Sequence, residues 1–466
     1  MANIVNPQSP SRAFDNPQLR SSQQKPKHRN ATMIAETHRM LKVMMVLAVL
    51  FSHVYWSSRT FTIDCDSTEE EWNDRKTVAS PHTEHEPAPL LKESNKVPTL
   101  RGQVPPNYDG PQRIFLPWNY SNHPFPCFPA EAEWDKPSVA RSPTRTGLLF
   151  LRNMKTGSST LGGVTIRIAR NMARRAASSF PMCKVRFDHT PASILQYGKR
   201  DKEKSYLFSF LREPTERAVS EFFHFGVSRL KFEPSAANFK AYLMSREFLN
   251  NYFLWDMSLG KFQGGNATWE DKQKAVDEIL VGYDFIGITE RMDESLVVLK
   301  MLLNLEFNDI LHLSAKGNGG FDDGAIGGKC HYIVPQYVPP LMQTFFNGPE
   351  WAERVNGDTL LYHAAIRSLD LTIEALGSEE VHRQLVEYRR LQAVAKETCL
   401  PTTVPPCTSD GVFHRTTHNC LFWDSGCGYE CLDKLRDIEP AGFPNPPHIG
   451  QGKEKLNEPM KRISET

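Results

Sequence analysis

One short stretch of the chain places a cation, a glycine and several hydroxyls in an order that suits phosphate binding. Its residues are Lys155, Thr156, Gly157, Ser158, Ser159 and Thr160, and Arg152 lies three residues before them. The N–H groups of a helix's first turn and the helix dipole both favour an anion. Lys155 adds a mobile positive charge, and the hydroxyls add donors. The stretch therefore predicts a loop that binds a phosphorylated ligand.

Such a loop needs a strand before it and a helix after it. Residues 147–151 (GLLFL) form an apolar run of strand length, and residues 164–170 can sustain a helix. The spacing is not that of the Walker A loop, Gly-x-x-x-x-Gly-Lys-Ser/Thr, because here the lysine precedes the glycine. The order therefore disfavours an ordinary ATP- or GTP-dependent kinase.

A second polar set follows a second apolar run. Residues 205–212 (SYLFSFLR) predict a buried strand that ends at Arg212, and the spacing after Pro214 predicts a helix over 215–225. Arg212 is placed for a forked contact with a phosphate, and Ser220 lies on the following helix. Ligands of parallel sheets bind outside the carboxyl ends of the strands, so both sets are expected to face one crevice. A ligand with two separated anionic groups would suit them.

The remaining pattern predicts an α/β fold. Residues 183–189 and 283–290 are strand-like, and an apolar-striped helix is predicted at 292–305. Strands that alternate with helices indicate a P-loop-like parallel sheet flanked by helices. Further helices are predicted at 358–376 and 379–395, the second of them charged and solvated.

The two polar motifs resemble those of a known enzyme family. Residues 155–160 (KTGSST) look like the 5′-phosphosulfate loop of the Golgi membrane-bound carbohydrate sulfotransferases, and residues 210–220 (FLREPTERAVS) look like their 3′-phosphate motif. The group containing heparan sulfate 2-O-sulfotransferase and the galactose 3-O-sulfotransferases is similar in two further features. These are the position of Arg152 and the segment 287–290 (GITE). The resemblance covers roughly residues 147–305, with weaker similarity to about residue 376.

The resemblance implies 3′-phosphoadenosine 5′-phosphosulfate as the co-substrate and a glycan hydroxyl, of uronic acid or galactose type, as the acceptor. Arg152 and the residues of the 155–160 loop would hold the 5′-phosphosulfate, and Arg212 and Ser220 the 3′-phosphate. Transfer would be an in-line displacement at sulfur, with Lys155 as a catalytic cation at the bridging oxygen. No metal is expected.

His189 is the candidate base that takes the proton of the acceptor hydroxyl. It ends a strand-like stretch between the two motifs, and an unperturbed histidine pKa of about 6.5 suits proton abstraction near neutral pH. The same sulfotransferase group similarly carries its catalytic histidine between these motifs. His224 is a competitor, but it follows the second motif on a helix.

Other polar residues have structural interpretations. Arg217 is expected to form an ion pair within its helix, and Asp322 and Asp323 are expected to be solvated rather than to bind calcium. Among the nine cysteines, five lie towards the C-terminus, where disulfides are favoured over a zinc site that would use Cys427 and Cys431. Cys65 is a candidate for an intersubunit bridge, and a homo-oligomer is compatible with it.

Composition changes along the chain predict its organisation. Residues 41–56 are strongly apolar, with basic sequence before them and acidic sequence after them, which favours a signal anchor with a cytoplasmic N-terminus over a buried helix or a cleaved signal peptide. The glycosylation sequons at Asn119 and Asn266 would then be lumenal. The expected segments are a disordered cytoplasmic tail (1–40), the anchor (41–56), a lumenal stem (57–141), a sulfotransferase domain (142–396), a cysteine-rich extension (397–440) and a disordered tail (441–466).

The formal net charge of +1 gives no global field that would indicate a nucleic-acid partner. Together, the anchor and the motifs predict a single-pass type II protein of the Golgi membrane that sulfates a glycan. Two rival functions stay open: a lumenal nucleotide-dependent kinase-like transferase and a non-catalytic glycan-binding protein. A set of basic residues would meet an acidic polysaccharide or form a solvated face: Arg170, Arg174, Arg175, Arg186 and Lys199.

Overall fold

A computed structural model describes residues 109–126, 145–176, 182–244, 250–260, 262, 267–314, 319–322, 324, 328–414 and 428–435. These residues belong to the unit Asp64–Thr466. In the described part of the chain, no helix has both the length and the apolar character needed to cross a membrane. The predicted anchor at 41–56, Cys65, the sequon at Asn266 and the tail after residue 440 lie outside the described residues.

Four parallel strands form the sheet at the centre of this unit. They are β1 (Gly147–Leu151), β2 (Val185–Asp188), β3 (Ser205–Leu211) and β4 (Phe285–Ile288). Their order in the sheet is β2-β1-β3-β4, and every neighbouring pair is parallel. The sequence-based prediction of an α/β fold with a parallel sheet is therefore confirmed.

The burial of the strands explains their apolar sequences. All residues of β1, β3 and β4 are buried, while those of β2 are half-buried. Parallel strands covered on both faces need near-continuous apolar runs, which β1 and β3 provide. Between these two strands the rings of Phe150 and Phe208 stack with centroids 4.9 Å apart. This stacked pair joins β1 to β3 within the core of the unit.

Helices and one π-helical segment flank the sheet. In chain order they are α1 (Ser158–Arg175), α2 (Pro214–Glu221), the π-helical segment (Phe222–Arg229), α3 (Ala236–Met244), α4 (Tyr252–Met257), α5 (Trp269–Gly282), α6 (Met292–Leu302), α7 (Phe307–Ile310), α8 (Pro340–Phe346), α9 (Pro349–Leu376), α10 (Ser378–Cys399) and α11 (Tyr429–Lys434).

Local chemistry accounts for several helix boundaries. α2 begins with proline at its first position, and the Glu213 carboxylate accepts hydrogen bonds from the N–H groups of Thr215 and Glu216. α5 begins with a reciprocal capping box between Thr268 and Asp271. The helix predicted over 215–225 instead changes to π geometry at residue 222. The apolar spacing of the sequence predicts a helix here but does not distinguish a π-helical turn from an α-helical one.

Helix α10 is not solvated on all sides, so that expectation from its charge was wrong. Its apolar side chains at Val381, Leu385, Tyr388 and Leu391 are buried. This spacing of three and four residues makes one apolar stripe, which packs in the protein while the charged residues face outward.

Part of the segment that composition assigns to the stem packs into the folded unit. Phe115 and Phe125 are almost fully buried. The N–H of Phe115 donates to the Thr372 hydroxyl (2.9 Å), and the N–H of Trp118 donates to the carbonyl of Leu302 (2.8 Å). The folded unit therefore includes residues 109–126, because their apolar rings find a place against α9 and the end of α6.

Disulfides organise the C-terminal region, as predicted. Cys399 is bonded to Cys431, and Cys330 is bonded to Cys407; Cys183 is disulfide-bonded as well. Since Cys431 forms a disulfide with Cys399, it has no free thiolate to bind zinc together with Cys427. Cys427 lies outside the described residues.

Asp322 was expected to be solvated, and this expectation was wrong. Its side chain is buried and lies 3.2 Å from Arg229 Nη2 and 3.2 Å from the His331 ring. Two backbone N–H groups, of Gly324 and His331, also donate to it. These donors compensate the carboxylate for the water that it loses. Asp323 lies outside the described residues.

Candidate functional site

The polar motifs of the sequence follow the carboxyl ends of the four strands. The loop at Lys155 follows β1, His189 follows β2, Arg212 follows β3 and Thr289 follows β4. All four strands are parallel, so these ends lie along one edge of the sheet. The chain passes from β1 to β2 on one side and then to β3 on the other side. The edge between β1 and β3 is therefore a topological switch point, where open α/β sheets bind ligands.

The loop after β1 has an unusual backbone conformation. Lys155 (φ 66°) and Gly157 (φ 73°) both adopt left-handed conformations. The left-handed conformation favours glycine at position 157, and a Cβ there would also displace the end of the Met292 side chain, whose Cε would lie 2.9 Å away. Gly157 is the N-cap of α1, and the first turn of α1 contains Ser158, Ser159 and Thr160 and no acidic residue. This helix terminus can therefore accept an external anion.

Residues outside the two polar motifs hold this loop in place. The Asn153 amide donates to the Ser209 hydroxyl (2.9 Å) and to the Phe210 carbonyl (3.0 Å). The N–H of Met154 donates to the Tyr252 hydroxyl (2.9 Å). The Thr156 hydroxyl donates back to the Asn153 carbonyl (2.9 Å), and Thr156 is fully buried. Thr156 therefore supports the loop from beneath.

Arg212 brings the second motif to the first. Its Nη1 donates to the Lys155 carbonyl (3.4 Å), and its Nη2 lies 3.3 Å from the Glu216 carboxylate. The side chain is about one fifth exposed. The guanidinium thus lies between the phosphate loop and the start of α2, with part of its surface open to solvent.

The segment after β4 contacts both motifs. The Thr289 hydroxyl donates to the Thr156 carbonyl (3.0 Å) in the first motif. The Glu290 carboxylate accepts from the N–H of Glu213 (2.9 Å) in the second motif and from the Tyr362 hydroxyl (3.1 Å). The role of residues 287–290 (GITE) is visible only in three dimensions. The segment ties the ends of β1 and β3 to the end of β4.

His189 lies beside Arg152. Its Nδ1 is 2.5 Å from the Arg152 carbonyl, and because a carbonyl oxygen can only accept, this hydrogen bond has Nδ1 as the protonated donor. A neutral ring in this tautomer has its lone pair on Nε2, the form that a general base needs. The Arg152 side chain is buried, and its guanidinium carbon lies 5.6 Å from the centroid of the Phe187 ring.

Ser220 is placed differently from the other candidates. It is buried on α2, and its hydroxyl accepts a hydrogen bond from Gln336 Nε2 (3.0 Å). Gln336 was not among the candidates, because it is distant in sequence from both motifs and lies in no recognisable pattern.

Two other sequence-based assignments can be compared with the structure. Arg217 is buried and pairs with Glu221 (2.6 Å), as predicted, and its guanidinium also stacks on the Tyr252 ring at 4.1 Å. His224, the competitor for the base, is buried in the π-helical segment, with its ring against Phe225 at 4.7 Å. Arg217 therefore belongs to the support of the site, beneath Tyr252.

A buried group of carboxylates lies under the loop. The Tyr252 hydroxyl that receives the Met154 N–H donates to Asp256 (2.9 Å). Burial raises the pKa of Asp256 to about 7, although the Tyr252 hydrogen bond and Arg217 lower it. Burial also raises the pKa of Asp358 to about 7, against the backbone N–H of Leu254 and the charge of Arg217. The support of the loop thus contains two carboxyls that titrate near neutral pH.

Most of the basic residues proposed to meet an acidic polysaccharide already have partners. Arg174 pairs with Asp433 (3.1 Å), Arg175 with Asp309 (2.6 Å) and Arg186 with Asp188 (3.0 Å). Their charges are therefore partly compensated within the chain.

Among the described residues, no group of three or more histidine, cysteine, aspartate or glutamate side chains is arranged to hold a metal ion. The site is built instead from guanidinium groups, one lysine, hydroxyls, backbone N–H groups and His189.

The chain was compared with known proteins. No protein-family model matches it, and no solved structure matches it significantly. Galactosylceramide sulfotransferase of Bos taurus is 22% identical over 342 residues, which are 64% of this chain and 74% of the relative. This weak similarity supports a carbohydrate sulfotransferase family for the chain, without distinguishing a group within that family.

Proposed function

We propose that the protein transfers a sulfo group from 3′-phosphoadenosine 5′-phosphosulfate to a hydroxyl of a glycan. One observation carries the proposal: the two anion-binding motifs end adjacent strands and meet through the hydrogen bond from Arg212 to the Lys155 carbonyl. A donor with two separated anionic groups needs two such sites at a fixed distance. The similarity to a sulfotransferase supports the same reaction class.

The residues present fit this donor. The N-terminus of α1, Lys155 and the hydroxyls of residues 158–160 would hold the 5′-phosphosulfate, with Arg152 beside them. Thr156, whose buried hydroxyl donates to the Asn153 carbonyl, would support the loop instead of binding the donor through its side chain. Arg212 and Ser220 would hold the 3′-phosphate. Every one of these groups is a donor or a cation, as an anionic ligand requires.

The chain's own residues would carry the transfer as follows. His189 Nε2 takes the proton of the acceptor hydroxyl as its oxygen bonds to sulfur, and the bond from sulfur to the phosphate oxygen breaks. Lys155 stabilises the negative charge that develops on that phosphate oxygen. The Arg152 carbonyl keeps the His189 ring in the required tautomer through Nδ1. The loop contacts of Asn153 and Tyr252 hold Lys155 in position.

For the acceptor, we propose a neutral galactose-type glycan in preference to a glycosaminoglycan uronic acid. The similar protein acts, by its name, on a galactosylceramide. The internal ion pairs of Arg174, Arg175 and Arg186 also reduce the free positive charge that a polyanion would require.

We further propose a type II topology in the Golgi membrane, with residues 41–56 as the anchor and the folded unit in the lumen. The disulfides support an oxidising compartment. Asn119 of the sequon at residues 119–121 is exposed and so open to glycosylation.

The test is transfer of ³⁵S-sulfate from the labelled donor to a panel of defined galactose and uronic acid glycans, in the presence of a chelator. Lys155→Ala should lower the rate by roughly 10²–10³-fold, as expected when a group that stabilises transition-state charge is removed. Lys202→Ala is the matched control, because Lys202 is an exposed lysine of the same unit.

Near-normal transfer by folded Lys155→Ala protein would overturn the assignment of the site. Phosphate transfer from ATP that requires a divalent metal would instead favour the kinase-like alternative. Glycan binding without any transfer would favour the non-catalytic alternative.

A further inference from the structure

One extended segment lies across the π-helical segment and the end of α2. This strap, residues 328–339, contains Cys330, which is disulfide-bonded to Cys407. The N–H of Val334 donates to the Ser228 hydroxyl (3.0 Å), and the Tyr337 ring packs edge-on against Phe223 at 5.3 Å. The strap is therefore held over the second motif by both polar and apolar contacts.

The same strap reaches one candidate ligand of the donor. Gln336 Nε2 donates to the Ser220 hydroxyl oxygen at 3.0 Å. Ser220 is only 3% exposed. Within the described part of the chain, the Ser220 hydroxyl donates its own proton to no acceptor. A buried hydroxyl with an unused donor normally has a partner, since a lost hydrogen bond is costly.

The direction of the hydrogen bond from Gln336 decides what Ser220 can do. A hydroxyl has one proton to donate and two lone pairs to accept. Because Gln336 donates to a lone pair, the proton of Ser220 is left for another acceptor. An acceptor-only anion, such as a phosphate, can use that proton. If the residue at 336 were itself an acceptor, the proton would turn towards it and a lone pair would face the anion.

We propose that Gln336 is a positioning residue that makes Ser220 selective for the 3′-phosphate of the donor nucleotide. This inference rests on the proposed function, because it assumes a nucleotide with phosphates on both its 3′ and 5′ sides. The strap thus completes the second anion site from a part of the chain more than a hundred residues away. The disulfide of Cys330 with Cys407 holds the start of the strap. Gln336 acts through Ser220 and belongs to nucleotide selection rather than to the chemical step.

The experiment measures calorimetric affinities of the full chain for adenosine 3′,5′-bisphosphate and for adenosine 5′-phosphate. Gln336→Glu should weaken the bisphosphate by ten-fold or more and leave the monophosphate within about two-fold, because it reverses the Ser220 hydroxyl and adds a negative charge. Gln336→Leu should have a smaller effect of the same kind. In a Ser220→Ala background, Gln336→Leu should have no further effect.

The control is Gln343→Glu, since Gln343 lies on the neighbouring helix α8 and bonds to Asn347 instead. It should leave both affinities unchanged. Equal weakening of both nucleotides by Gln336→Leu would show a purely structural strap and overturn the inference, as would an unchanged preference in Gln336→Glu. A wild-type protein with no preference for the bisphosphate would overturn the proposed function itself, and the inference with it.

Discussion

At the scale of residues, the site depends on a few side chains whose chemistry is set by a neighbouring backbone group. His189 is the clearest case. A histidine can place its lone pair on either ring nitrogen, and the Arg152 carbonyl at 2.5 Å from Nδ1 selects Nε2. Arg152 therefore has two contacts in the site: its carbonyl accepts the hydrogen bond from His189, and its guanidinium lies beside the Phe187 ring.

His189→Asn should separate the base from the hydrogen bond. An asparagine amide can still donate to the Arg152 carbonyl, but it has no basic nitrogen. We expect the transfer rate to fall by roughly 10²–10⁴-fold, the usual contribution of a general base. The affinity for adenosine 3′,5′-bisphosphate should stay near that of the wild type. Single-turnover rates and calorimetry measure the two effects separately.

His189→Ala is the comparison, because it removes both the base and the hydrogen bond. If His189→Asn kept the wild-type rate while His189→Ala lost nucleotide binding, His189 would be structural and the base would have to be sought elsewhere.

At the scale of elements, the end of β4 links the two motifs. Thr289 bonds to the loop after β1, and Glu290 bonds to the start of α2, so the spacing of the two proposed anion sites depends on three strands. The donor's two anionic groups are themselves at a fixed separation. A small change in the spacing of the sites should therefore cost more affinity than the loss of one hydrogen bond.

Glu290→Ala should test this link. It leaves the N–H of Glu213 and the Tyr362 hydroxyl without their acceptor. We expect kcat/KM for the donor to fall by roughly 10–100-fold, since misplaced binding groups lose orientation. Initial rates at varied donor concentration give this value. Tyr362→Phe is the matched control: it removes only one of the two hydrogen bonds and should change kcat/KM by about threefold or less.

If Tyr362→Phe were as damaging as Glu290→Ala, the bond to α9 would matter and the link between the motifs would not. The motifs themselves, with their strands and helices, were predictable from sequence, because apolar periodicity and the loop residues are local. The link through Glu290 was not predictable, because it depends on β4 being the neighbour of β3.

At the scale of the whole molecule, a buried charge cluster beneath the loop couples the fold to pH. The Arg217 guanidinium pairs with Glu221, and it also interacts with the carboxyls of Asp256 and Asp358. Asp188 adds further repulsion at Asp256. Burial is the largest influence on both aspartates and raises their pKa from 3.8 to about 7. The folded protein keeps protons there that the unfolded chain has released.

The sign of the resulting pH dependence follows from linkage. Where the folded state binds more protons than the unfolded chain, the free energy of unfolding decreases as the pH rises. The free energy of unfolding should therefore fall as the pH rises from about 4 to about 7, because over this range both carboxyls keep protons in the folded protein that the unfolded chain has released. Their stabilising effect is complete below pH values of about 4 and is lost above about 7.

Asp256→Asn should make the unfolding free energy less dependent on pH and increase it above pH 7, because the amide can still accept from Tyr252 without carrying a charge. Denaturant unfolding at a series of pH values measures this. Asp277→Asn, at an exposed position on α5, should leave the dependence unchanged. The same slope in Asp256→Asn and in the wild type would mean that Asp256 is ionised throughout.

The sequence by itself determined the parallel α/β fold, the two polar motifs that we propose bind anions and the preference for disulfides, since each depends on residues close together in the chain. Tertiary structure alone decided which distant residues support the motifs. Gln336 reaches Ser220 across 116 positions, and Tyr252 reaches Met154 across 98. Such contacts follow from strand order and side-chain packing, which local periodicity does not encode. The Arg152 carbonyl likewise selects the His189 tautomer only because β1 and β2 are neighbours in the sheet.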